Sequence, residues 1–161
     1  MNEDNEFWNY AIKVYSDPEI AEVCQALQNR FQLRVNRLLF ALWLAEQGRV
    51  LPADLDEADS REWRLKLLEP LRSLRYQLRK SKRSVEEESC YQQLKTAELS
   101  AEKVEIGLLF KLKDHCSTAA KLSGLRYQNL CVAADTGTGG TGELQVLLTQ
   151  LSDKAAVNGS I

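Results

Sequence analysis

Proline is scarce. Pro18, Pro52 and Pro70 are the only three in the chain, so more than half of it holds no residue that breaks a helix outright. Alternating polar and apolar patterns are also missing, which argues against strands. Histidine occurs once, at His115, which excludes the common zinc site of two cysteines and two histidines. Cys24, Cys90, Cys116 and Cys131 form no CxxC pair and read most simply as reduced thiols. No long apolar run exists. The longest, Leu38 to Ala45, is closed by Arg37 and Glu46, far short of the roughly 20 residues a bilayer requires. The opening MNEDNEFWNY is acidic and has no apolar core, unlike a secretory signal or a mitochondrial presequence. The expected compartment is the cytosol, with no membrane contact. A GxSxG elbow, an HExxH motif, a phosphate loop and a dinucleotide fingerprint are all lacking. That weakens the case for an enzyme, although carboxylates gathered from separate helices would leave no local pattern.

With 161 residues, the chain has the length of one domain, and a domain of that size buries roughly 70% of its unfolded surface. It can hold a core without metal or disulfide staples. Apolar residues at 44% and charged residues at 27% set it apart from a disordered chain. The net charge of −2 hides a sharp division. Residues 1–60 carry −6, residues 61–83 carry +7 and residues 84–161 carry −3. One basic block lies between two acidic ones.

Helical spacing recurs almost throughout. Trp8, Ala11, Ile12 and Tyr15 share one face of a first helix. Asp17-Pro18, a cap followed by proline at the first helical position, opens a second, striped by Ile20, Cys24, Leu27 and Phe31. A third spans about Arg34 to Gln47 and stops at Gly48. It is apolar nearly all round, so it belongs at the centre. Asp59 and Glu62 suggest a capping box for a fourth helix, with Trp63, Leu67, Leu71, Leu74 and Leu78 inside and Pro70 either kinking or splitting it. Ser84 and Glu87 suggest another, opening a long fifth helix with Tyr91, Leu94, Ala97, Ala101, Val104 and Leu108 on one face. Helices four and five are expected to form an antiparallel hairpin. A short helix over 125–134 follows. The expectation is an all-α, single-domain bundle of five to seven helices. Residues 1–134 form the helical domain, 135–142 a Gly/Thr-rich linker, 143–153 an amphipathic helix and 154–161 a frayed tail. The stripe from Leu144 to Leu151 could pair two copies into a homo-oligomer.

The basic block carries the clearest chemical signal. Arg72, Arg75, Arg79 and Arg83 recur at helical spacing, and residues 70–83 hold no acidic side chain. Clustered guanidinium groups suit phosphates or an acidic protein surface, and Tyr76 could stack on an unpaired base. The plainer alternative is a solvated face balanced by Glu86, Glu87 and Glu88. A second candidate is a ligand pocket, or an active site, beside the central helix at Asn36, Arg37 and Trp63. There a buried asparagine could equally fix register. The glycine loop before residue 143 ends in Glu143 where a phosphate loop needs lysine, so it reads as a tether. The DHC string at Asp114 to Cys116 points its neighbours about 100° apart on a helix and makes no dyad. The acidic run of Asp54, Asp56, Glu57 and Asp59 lacks the glycine of a calcium loop and reads as capping. No cofactor, catalytic residue or metal ligand is expected.

Phe7, Trp8, Tyr10, Pro18, Cys24, the Val35-Asn36 pair, Leu38 to Ala45, Gly48, Trp63 and Pro70-Leu71-Arg72 together resemble a family of uncharacterised proteobacterial proteins, known from Pseudomonas and Vibrio, over roughly residues 7–83. Arg30 to Arg34 and Arg37 depart from the family's pattern. The resemblance implies a bacterial cytosolic protein and supplies no catalytic residues. The leading expectation is a binding or adaptor protein that meets nucleic acid or an acidic protein through the basic helix face. The alternative is a small helical ligand-binding protein or enzyme.

Overall fold

A computed structural model describes residues 5–135 and 142–158. Most of the expected linker, residues 136–141, lies outside them. The elements are α1 (Glu6–Tyr15), α2 (Pro18–Phe31), α3 (Val35–Glu46), α4 (Ala58–Trp63), a π-helical turn (Arg64–Leu68), α5 (Glu69–Ser81), α6 (Val85–Phe110), a 3₁₀ turn (Lys111–His115), α7 (Leu125–Ala133) and α8 (Glu143–Asn158). The backbone stays helical from α4 through the π turn into α5. Counted as continuous helices, these make seven among the described residues, in an all-α bundle.

Local chemistry explains the ends. Asn5 caps α1 by accepting from the Trp8 N–H at 2.7 Å. Asp17 accepts from the Glu19 N–H at 2.9 Å, and Pro18 sits at the start of α2, as the sequence implies. Ser84 accepts from the Glu87 N–H at 3.0 Å to open α6. Gly48 follows the end of α3 at φ 69°, a left-handed conformation that costs glycine little. The expected Asp59–Glu62 box does not form. The helix starts two residues earlier than that box would place it, at Ala58, whose N–H is taken by Asp56 at 3.0 Å. Glu57, the residue at the cap position, turns its carboxylate to Arg37 instead.

The third helix is central. Every side chain from Arg37 to Leu44 is buried, and α3 packs against α1, α2, α6 and α7. Phe7 and Phe40 stand 5.4 Å apart, Phe7 and Trp43 5.5 Å, and Trp43 and Phe110 5.5 Å between ring centres. These offsets suit aromatic quadrupoles. Asn129 of α7 is fully buried and ties the chain together. It accepts from the Leu51 N–H at 3.0 Å and donates to the carbonyls of Ala41 and Arg49 at 3.2 and 3.0 Å. The loop after α3 is held to the 116–119 segment by Val50 N–H to Ser117 O and Ala119 N–H to Gly48 O.

Several expected faces are shifted. Pro70 does not split its helix, which is continuous from α4 through the π turn into α5. The π turn precedes it, with the Glu69 N–H reaching back five residues to Arg64 O. This wider turn accommodates a ring that removes one N–H and crowds the carbonyl before it. The surplus residue moves Leu68, five positions after Trp63, into the core and leaves Leu67 exposed. On α6 the buried line is Tyr91, Glu98, Ala101, Glu105 and Leu109, so Ala97 and Val104 lie outside it. Two buried glutamates occupy places where an apolar stripe was expected. The C-terminal helix also runs past residue 153 to Asn158, because Ala155 is fully buried and continues the line of Leu148 and Leu151. Leu148 and Leu151 pack into the chain's own core, α8 lying on α2 and α7, while Leu144 and Leu147 are partly buried against it. Among the described residues, no helix is long and apolar enough to cross a membrane.

Candidate functional site

α5 and α6 form a hairpin, and α5 buries none of its residues. Between this hairpin and the α1–α2 pair runs a cleft of about 740 Å³. Its apolar side comes from Trp8, Ala11, Ile12 and Tyr15 of α1 and from Leu99 of α6. Its polar side comes from Arg72, Arg75 and Arg79 of α5 and from Glu98, Glu102 and Glu105 of α6. At the start of α3, Arg34 and Asn36 close the floor with Arg64 of the π turn.

The basic stripe is partly neutralised from within. Arg72 Nε donates to Glu98 Oε1 at 3.2 Å, and its Nη2 donates to Glu102 Oε1 at 3.3 Å. Arg75 donates through Nε to Glu98 Oε2 and through Nη2 to Glu98 Oε1 at 3.4 Å. Its guanidinium also lies 4.7 Å from the centre of the Tyr76 ring. The bond to Glu98 holds Arg75 still further on the charged side. Arg79 lines the cleft and is exposed. Arg83 departs from the expected face. α5 ends at Ser81, and Lys82 turns extended at ψ 134°, so Arg83 lies in the hairpin turn rather than on the helix.

The pocket expected at Asn36, Arg37 and Trp63 is not assembled. Asn36 does line the cleft and donates to Glu105 Oε2 at 3.4 Å. Arg37 points elsewhere. Its Nε donates to both Glu57 oxygens, at 3.1 and 3.0 Å, and its Nη1 caps the end of α7 at Ala133 O, 2.5 Å away. Trp63 donates through Nε1 to Ala101 O at 2.8 Å, joining α4 to α6. Both residues hold helices together.

The floor carries what sequence reading passed over. Glu105 is 1% exposed. Its Oε1, together with Arg34 Nη1 and Arg64 Nε, is buried and has no hydrogen-bond partner among the described residues. The three groups are close enough to act on one another electrostatically. Burial, and then the Arg64 charge, hold Arg34 below its ordinary range. Burial raises Glu105 above the usual carboxylate range, against the bond from Asn36 and the charges of Arg34, Arg64 and Arg72. Glu102 is raised for the same first reason. Each arginine keeps one structural partner: Arg34 Nη2 lies 3.4 Å from Glu57, and Arg64 Nη1 lies 2.8 Å from Glu69. A spacing of four and then three residues, Glu98 to Glu102 to Glu105, was the available signal, because it puts three carboxylates on one helix face. Among the described residues, no group of three or more histidine, cysteine, aspartate or glutamate side chains is arranged to hold a metal ion.

The model of a family described as proteins of unknown function (DUF2390) matches residues 6–109. The chain belongs to that family. The match reaches from the first residue of α1 almost to the end of α6, so every residue lining the cleft falls inside it. The family therefore extends beyond the 7–83 span of the sequence resemblance, into the helix that carries the three glutamates. No curated protein and no solved structure matches the chain.

Proposed function

We propose that this chain is a binding protein that takes a small anionic ligand in the cleft between α1–α2 and the α5–α6 hairpin. One observation carries the reading: Arg34 Nη1 and Arg64 Nε are buried donors without acceptors among the described residues. Leaving a buried donor unpaired costs about 1–3 kcal/mol, more when the group is charged. A planar carboxylate or a phosphate would supply acceptors to two guanidinium groups at once. Thermal unfolding in a panel of small carboxylates and inorganic phosphate tests this. Ligand at a hundred times Kd adds about 2.7 kcal/mol by mass action, a rise of roughly 5–10 °C for a domain of this size. Arg34→Gln with Arg64→Gln should abolish the rise. A panel that leaves Tm unmoved would sink the reading.

A second reading keeps the outer surface for nucleic acid or an acidic protein. It is supported by Arg79, Lys80 and Arg83, which are exposed and whose side chains form no ion pair with a described residue, and by the exposed ring of Tyr76 beside them. Fluorescence anisotropy with a labelled single-stranded oligonucleotide checks it. Binding should weaken steeply with salt and vanish in Arg79→Glu, Arg83→Glu. Both readings suit a reducing compartment such as the cytosol, since all four cysteines are free thiols.

A further inference from the structure

The cleft floor has more than two lone donors. It also has a lone acceptor, and the three atoms together describe a ligand more narrowly than charge does. We propose that the ligand is a carboxylate that carries a hydrogen-bond donor, hydroxyl or ammonium, close to the carboxylate, and an apolar tail. The inference rests on the reading of the cleft as an anion site.

The argument starts from the inventory of unpaired atoms. Arg34 Nη1 and Arg64 Nε can only donate, and Glu105 Oε1 is a carboxylate oxygen. A bare anion would satisfy the arginines and leave Glu105 facing it, like charge against like. A donor on the ligand, placed between its own carboxylate and Glu105, removes that conflict and supplies the missing partner of Oε1. Asn36 holds the other Glu105 oxygen at 3.4 Å, so Oε1 is the one left for a ligand.

Charge balance favours a single anionic group of one charge. Arg34 already shares Glu57 with Arg37, Arg64 has Glu69, and the hairpin arginines Arg72 and Arg75 have Glu98 and Glu102. Arg79 is the one cleft arginine whose side chain forms no ion pair with a described residue, and that single surplus is too little for a multiply charged phosphate. The tail follows from the opposite side of the cleft. Ile12 and Leu99 line it with 51% and 55% of their surfaces exposed, which offers apolar area to a ligand rather than to solvent.

Calorimetry on the intact chain with four six-carbon probes decides the matter: hexanoate, 2-hydroxyhexanoate, 2-aminohexanoate and 2-oxohexanoate. The hydroxy or the amino acid should bind about tenfold or more tightly than hexanoate and than the oxo acid, which offers only an acceptor at the same position. Whichever of the two donors wins identifies the class. In Glu105→Gln that preference should shrink to about threefold or less, because the acceptor for the ligand's donor and the like charge facing hexanoate are both changed at once. The comparison of hydroxy and oxo acids uses the unaltered chain and needs no variant to fold. Equal binding of all four probes, or a preference that survives Glu105→Gln, overturns the donor requirement and leaves the anion site standing. Failure of every probe to bind, in a protein that phosphate stabilises, overturns the carboxylate class. Failure of phosphate as well overturns the anion site and this inference together.

Discussion

Glu98 of α6 accepts from Arg75 of α5 through both of its oxygens, so the hairpin is clasped by a charge pair and not by a buried apolar seam. Arg72 shares the same carboxylate, and Glu98 is 7% exposed. Removing it leaves two guanidinium groups without their main acceptor. Glu98→Ala should cost about 2–4 kcal/mol in urea unfolding. Glu88→Ala, which removes an exposed partner of Lys82, should move the midpoint far less, because solvent screens that pair. Equal losses in the two variants would show that the clasp is no stronger than a surface ion pair.

Asn129 joins three segments through three hydrogen bonds in a fully buried place. Asn129→Ala orphans the Leu51 N–H and frees two carbonyls. The expected loss is about 2–4 kcal/mol, read from the shift in unfolding midpoint. Asn129→Asp should also destabilise, because a carboxylate cannot donate to Ala41 and Arg49. Hydrogen exchange at the Leu51 amide should quicken most in Asn129→Ala, which removes its acceptor, whereas Asn129→Asp keeps an oxygen in that place.

Acid titration should report the buried carboxyls of the cleft. Burial holds both Glu105 and Glu102 above the ordinary 4.5, so the folded chain binds their protons more tightly than the unfolded chain does. Stability contributed by these two groups is therefore greatest near and below pH 4.5 and is lost as pH rises through their folded values. Arg34, Arg64 and Arg72 oppose the effect without reversing it. Glu105→Gln carries a neutral amide where the protonated acid would sit. Its unfolding midpoint should exceed that of the unaltered chain at pH 7, and the gap should close toward pH 4. A gap that widens toward acid would mean that Glu105 is held charged.

Much of the fold was legible in the sequence. The all-α bundle, the central position of Leu38 to Leu44, the proline at the start of α2, the Ser84 cap and the Gly48 stop all rest on short-range chemistry that a single stretch of sequence contains. The α6 face expected through Ala97 and Val104 is exposed, and the buried line runs through Glu98 and Glu105 instead. Only the arginines of α5, α3 and the π turn make those glutamates tolerable inside, and they are distant in sequence. The basic stripe is visible in the sequence, but its partners lie across the hairpin. Arg37 was grouped with Asn36 by adjacency, although successive residues on a helix point about 100° apart and these two serve different sides of α3.

The π turn ahead of Pro70 has an angular meaning. One surplus residue between Trp63 and Leu68 offsets everything downstream by about 100° relative to an unbroken α-helix. That offset is what aims Arg72, Arg75 and Arg79 at the glutamates of α6. Regular winding of residues 64–68 with none removed would rotate the arginine row away from the cleft, whereas deleting one of the five would let regular winding return with the row still in place. The orientation of the site is thus encoded as a phase, set by how this one turn is wound and not by the identity of any one residue in it.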